Sequence, residues 1–258
     1  MSDRLLSFEA IENFRDYGGY AGAEGLITRG KLFRSGQHAR ASDGDLEAIA
    51  DLGIATVVDL RHHNERMKAP SRRPHDWQGR VLESDLGGVG EAPHIRFLME
   101  EDLTADSGRR YMAKAYFGMP YEAGHISLFK AHFEALAAGQ GSSLIHCAAG
   151  KDRTGLLAAL THKVLGVADD DMMADYLATN TAIRLEERAD QFAGWLHRRT
   201  GKRVSADAVV AFFGVEPDFI GHAWRAMAQT HGGVPQYLEQ VLGIDAAMTT
   251  AIRQRLML

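Results

Sequence analysis

The chain has 258 residues, enough for one large domain or two small ones, and its apolar (45%) and charged (24%) contents suit a globular protein in water. A net charge of −5 argues against broad nucleic-acid binding, and no stretch has the unbroken apolar length of a membrane span. A single cysteine excludes an internal disulfide framework. Met1 to Glu9 lacks a long apolar core, so no classical signal peptide is visible and the cytoplasm is the expected address.

Residues 11–20 combine charges with Asn13 and the pair Gly18-Gly19, the composition of a structured loop. Lys31 to Arg34 reads as a short strand. Ser42 offers an N-cap to a helix over Asp45 to Ala50, and Gly53 can end it. Ile54 to Val58 is a dense apolar run, the pattern of a strand buried on both faces. It finishes in Asp59-Leu60-Arg61, at the strand end where α/β sheets place their binding crevice. Asp59 and Arg61 therefore either support a site or form a surface ion pair. His62 and His63 are adjacent on a turn and point apart. With no zinc-type spacing around them, no metal is expected.

Arg80 to Glu83 is a further strand candidate, leading into Ser84-Asp85-Leu86-Gly87-Gly88. Residues 91–122 are rich in Met, Tyr and Phe, including Phe97, Met99, Tyr111, Tyr116 and Phe117. Ile126, Phe129, Phe133 and Leu136 predict a helix over His125 to Ala138, stopped at Gly139. Leu156, Leu157, Leu160, Val164 and Leu165 mark a buried helix, with Gly155 permitting close packing. From residue 168 onward the pattern is helices joined by short turns, broken at Gly232 to Pro235 and at Gly243. Asp169-Asp170-Asp171 suits the first turn of a helix better than a metal cluster. Tyr176, Asn180, Trp195 and Trp224 read as core or helix-surface residues.

The chemistry concentrates between the helix ending at Gly139 and the buried one after it, in Leu144-Ile145-His146-Cys147-Ala148-Ala149-Gly150-Lys151-Asp152-Arg153-Thr154-Gly155. A β-leaning lead-in ends at the cysteine, small residues follow, and a helical pattern begins near Arg153. Such a turn gathers backbone N–H groups at the positive end of a helix dipole. The reactive form of a cysteine is its thiolate, which a helix N-terminus and nearby cations favour. The planar fork of Arg153 suits two phosphate oxygens, and the small side chains of Ala148, Ala149 and Gly150 let an anion approach the backbone. Thr154 can donate its hydroxyl to the sulfur as it leaves. The pattern reads as thiolate attack on phosphorus with a cysteinyl-phosphate intermediate. A nucleotide-binding P-loop is excluded, because Lys151 is followed by Asp152 rather than Ser or Thr.

This stretch resembles the Cys-x5-Arg-Thr/Ser signature of cysteine-dependent phosphatases, in the narrower form His-Cys-x-Ala-Gly-Lys-Asp-Arg-Thr-Gly of the bacterial tyrosine-protein phosphatase family. Asn13-Phe14-Arg15-Asp16-Tyr17-Gly18-Gly19, Leu32-Phe33-Arg34-Ser35-Gly36, Val58-Asp59-Leu60-Arg61 and Ala174-Asp175-Tyr176-Leu177 follow in that family's order. The resemblance runs from about residue 11 to the C-terminus and thins between 86 and 110.

It implies one α/β catalytic domain over 1–258, with a phosphotyrosine phosphatase-like fold. A mostly parallel central sheet would be flanked by helices, with a helical lid inserted at about 86–122 and a helical C-terminal portion. Cys147 would be the nucleophile, and Arg153, with residues Ala148 to Asp152, would bind the substrate phosphate. Asp85 matches a position proposed for the acid that protonates the leaving group. Asp152 beside the loop arginine can fill the same role, activate water, or pair with Arg153. Asn13, Arg15 and Asp16 would brace the loop, with His146, Thr154 and Asp59 in support. Lys151 suits substrates with extra phosphates or simply raises the local potential. Phosphotyrosine proteins or phosphoinositides are the expected substrates, and no cofactor is implied. The resemblance also admits export without a classical signal. A phosphate-binding module without turnover and a sulfur-transfer enzyme are the competing readings.

Overall fold

The computed structural model describes residues 4–87, 97–99, 102–139 and 141–258. The part of the expected lid at 88–96, 100 and 101 lies outside the described residues. Five strands lie side by side in the order β1 (Arg15–Asp16), β4 (Leu32–Ser35), β7 (Ser142–His146), β5 (Ile54–Asp59) and β6 (Arg80–Leu82). The last four run parallel and β1 is an antiparallel edge, so the sheet is mostly parallel as the sequence implies. A short hairpin, β2 (Ala21–Gly22) and β3 (Gly25–Leu26), stands apart. The loop at 11–20 thus contains a two-residue edge strand, too short to carry a period of its own.

Alternation along the strands separates two cores. Phe33, Val57 and Leu144 face one side with Ile49 of α1 (Asp43–Asp51). Leu32, Val58 and Ile145 face the other, against a larger core built from helices. Ile145 and Leu144 are both fully buried, and each such side chain contributes about 1.5–3 kcal/mol through burial. Ser42 caps α1: its hydroxyl accepts from Asp45 N–H at 3.0 Å, and its own N–H donates to Asp45 Oδ2 at 3.1 Å.

Beyond β5 come α2 (His63–Lys68) and, after β6, α3 (Ala105–Gly118) and α4 (Ala123–Ala138). Gly139 takes the left-handed conformation that ends α4, as expected. The helix after the cysteine is α5 (Asp152–Leu165). The C-terminal portion continues as α6 (Asp169–Ala182), α7 (Ala189–Thr200), α8 (Ala206–Phe213), α9 (Pro217–His231), α10 (Val234–Gln240) and α11 (Ala246–Leu256). Asp169, Asp170 and Asp171 occupy the first turn of α6. Among the described residues, no helix is long and apolar enough to cross a membrane.

The register decides where chemistry can gather. Ser35 and Asp59 both pair with His146, so the carboxyl ends of β4, β7 and β5 finish level. Cys147 is the next residue, at the centre of the crevice.

Candidate active site

Cys147 is buried at the foot of a loop that turns into α5. The turn requires Gly150: its φ is +65°, and an added Cβ would stand 2.3 Å from the Ser35 carbonyl oxygen. Three successive loop carbonyls are tied down from outside. Gln37 N–H donates to Ala148 O at 3.0 Å, and Asn13 Nδ2 donates to Ala149 O at 3.1 Å and Gly150 O at 2.7 Å. Arg34 Nη2 also donates to Gly150 O, at 3.2 Å. In a trans peptide, C=O and the following N–H point in opposite directions. Holding these carbonyls outward therefore turns the N–H groups of Ala149, Gly150 and Lys151 to the inner side of the loop.

The brace rests on a buried ion cluster. Asp175 of α6 lies 3.3 Å from Arg15 Nε through one carboxylate oxygen and 2.6 Å from Arg34 Nη1 through the other. Arg15 also donates to Thr179 Oγ1, to the Asp175 carbonyl and to Asn13 Oδ1. Asn13 itself has a φ of +60°. Burial alone would raise the Asp175 carboxyl, but the two guanidinium groups outweigh it and hold it well below the usual range. Burial and Arg34 pull Arg15 down to about 10, which leaves it charged at neutral pH. Asn13 thus bonds the loop directly, and Arg15 bonds Asn13 from behind. Asp16 does not reach the loop, because its two oxygens accept from Gly18 N–H and Gly30 N–H at 2.7 Å each.

Arg153 is held end-on by Glu65, whose oxygens lie 2.5 and 2.9 Å from its two terminal nitrogens, and it donates to Leu60 O at 3.1 Å. Burial opposes charge on Arg153, yet Glu65, with Cys147 and Asp152 close by, keeps it above its ordinary value. Burial likewise would raise Glu65, but the Arg153 contact draws it down to about 2. Sequence reasoning missed Glu65. Its only local signal is its place in the first turn of α2, where its carboxylate accepts from His62 N–H at 2.9 Å.

Asp152 opens α5 and accepts from Tyr116 Oη at 2.9 Å, with the Tyr176 hydroxyl 2.7 Å behind. Tyr116 and Tyr176 therefore bear on the site, not only on the core. Lys151 is buried; its Nζ donates to the Phe212 carbonyl at 2.8 Å and lies 3.5 Å from Asp152. The segment against the loop lysine is the end of α8, outside the 86–122 insertion implied by the resemblance. Within that insertion, α3 supplies Tyr116, and Tyr111 stacks on Phe97 at 4.5 Å.

The supporting residues divide. Asp59 grips Arg61 at 2.7 and 2.9 Å, a buried pair rather than a surface one. His146 stacks on His38 at 5.0 Å, and burial lowers it to about 4, so it is neutral at pH 7. Its Nε2 sits 3.6 Å from Asp59 Oδ2, beyond hydrogen-bond reach. Thr154 Oγ1 is buried with no partner among the described residues, so its expected bond to the sulfur is not made in this conformation. Asp85 sits on the exposed rim beyond β6, held by Arg66 and, at 3.0 Å, by His63. Among the described residues it makes no hydrogen bond to the Cys147 loop. The His63 bond leads in lowering its carboxyl below the ordinary value, the opposite of what a proton donor needs.

Comparison with known proteins agrees with this geometry. The model of the tyrosine phosphatase family matches residues 6–258. A Cupriavidus necator protein named as a putative tyrosine-protein phosphatase is 35% identical over 94% of this chain and 85% of its own length. The triple specificity protein phosphatase PtpB of Mycobacterium tuberculosis is 29% identical over 93% and 95%. A tyrosine-protein phosphatase of Nostoc commune is 29% identical over 62% of this chain and 54% of its own. The chain therefore belongs to the tyrosine phosphatase family and is a protein-tyrosine phosphatase.

Proposed function

We propose that the chain, acting as one catalytic unit over 1–258, hydrolyses phosphotyrosine through a cysteinyl-phosphate on Cys147. The observation that carries this reading is the loop whose carbonyls are tied outward while Glu65 fixes the Arg153 fork at its far end. The Cys147 sulfur attacks phosphorus and the ester P–O bond breaks. Inward N–H groups and Arg153 stabilise the equatorial oxygens, and the leaving oxygen takes a proton from a carboxylic acid. Water then attacks the phosphocysteine, releasing orthophosphate and the thiolate.

Asp152 fits the acid better than Asp85, since it stands on the loop itself with its position set by Tyr116. Asp152→Asn should lower kcat by about 10²-fold on phosphoserine or alkyl phosphates and far less on activated aryl phosphates. Asp85→Asn should change kcat by no more than about twofold on either class. Equal leaving-group dependence in the Asp152 variant and the unaltered protein would remove that role.

Phosphoserine, phosphothreonine and phosphoinositides are further substrates in this proposal. The triple specificity in the name of the mycobacterial relative supports a broad range. Lys151 can meet a second phosphate only after its ammonium leaves the Phe212 carbonyl. The deciding experiment is phosphate release from matched phosphotyrosine, phosphoserine and phosphothreonine peptides and soluble phosphoinositides. Turnover of the tyrosine peptides is expected. No turnover on any substrate, with inorganic phosphate still bound, would instead establish a binding module.

A further inference from the structure

Along the chain, His62 has no metal partner nearby, but the fold supplies two. Glu122 immediately precedes α4 and His125 lies in its first turn. His62 Nε2 is 3.8 Å from Glu122 Oε2, and His125 Nδ1 is 3.6 Å from the same oxygen. One donor atom from each of the three residues lies within 4.8 Å of the other two. Zinc bonds of about 2.0–2.2 Å in tetrahedral array place neighbouring ligand atoms about 3.3–3.6 Å apart. Small side-chain movements would therefore close this group on an ion.

His125 is fixed by stacking on Phe129, with 9° between the rings. Its Nε2 is buried without a partner among the described residues. Two imidazoles and a carboxylate form a donor set suited to zinc rather than to magnesium or calcium.

We propose that His62, Glu122 and His125 form a reversible site for a zinc-type divalent ion, with a fourth position left for water. Its three ligands come from the start of α2 and the start of α4, so an ion would tie these elements together. Coordination through His125 Nδ1 takes up the lone pair after the proton now facing the Met119 carbonyl, 3.0 Å away, has moved to Nε2. Among the described residues no acceptor faces Nε2, which makes the site weaker than a structural zinc centre. The site also adjoins the phosphate grip: His62 N–H donates to Glu65, and Glu65 holds Arg153.

The test uses full-length Cys147→Ser protein, so that the sulfur cannot take the ion. Zinc is titrated in competition with a chromogenic chelator, and cobalt absorption reports tetrahedral coordination. One ion per chain is expected. Glu122→Gln and His62→Ala should each weaken it by about 10–100-fold. His75→Ala, which removes a histidine with a 98% exposed side chain, should leave affinity unchanged. Circular dichroism of each variant checks that the fold is retained. Absence of binding in the parent, or equal affinity in all four proteins, would overturn the assignment.

Discussion

Cys147→Ser is expected to lower kcat on a phosphotyrosine peptide by about 10⁴-fold or more, the scale seen when a nucleophilic catalyst loses its reacting group. The substitution replaces sulfur by a smaller oxygen that is far less nucleophilic at neutral pH. It touches neither the outward ties on the Ala148, Ala149 and Gly150 carbonyls nor the Glu65 grip on Arg153. Anion binding and the denaturation midpoint should therefore be retained. Acid-quenched mass spectrometry should find a phosphate adduct on Cys147 during turnover and none in the variant. Substantial residual turnover in the serine protein would mean that another group attacks phosphorus.

The parts of this site legible in the sequence are those with a local signature. Ser42 and Gly139 act within one helical turn, and the run ending at Cys147 announces a buried strand followed by a helix start. The family motifs added Asn13, whose amide bonds the loop, and Arg15, which bonds Asn13. Glu65 was not legible, because it meets Arg153 only after β5 and β7 align, and an ion pair between distant residues leaves no period. The contact of Lys151 with Phe212 and the grouping of His62 with Glu122 and His125 escaped for the same reason. Asp85 shows the converse: it matches a position proposed for the leaving-group acid, while Arg66 and His63, far from it in sequence, engage it in the fold. Local chemistry is written along the chain, whereas the partners of buried charges are set by topology.

That dependence on distant partners makes Asp175→Asn the more severe test of the architecture. It should destabilise the protein by about 3–5 kcal/mol, because it leaves two cations, Arg15 and Arg34, buried around a neutral amide. Asn13 would lose the set position of Arg15, and Gly150 O would lose a well-placed Arg34. Activity should consequently fall even at temperatures where the variant remains folded, since loss of alignment by about 1 Å can cost about 10²-fold. The pH dependence separates a charge effect from lost packing. Asp175 and Glu65 both have folded-state values below their ordinary ones, Glu65 moving from 4.5 to about 2. Between its ordinary and its folded value, each group binds more protons unfolded than folded, so stability is present above that window and is lost as pH falls through it. Urea midpoints of the unaltered protein should decline on acidification below about pH 4.5. Asp175→Asn removes one of the contributing carboxylates, so the decline should be shallower from a lower starting point. An unchanged slope, or a variant as stable as its parent, would show that Asp175 is not what holds the two arginines and, through them, the loop.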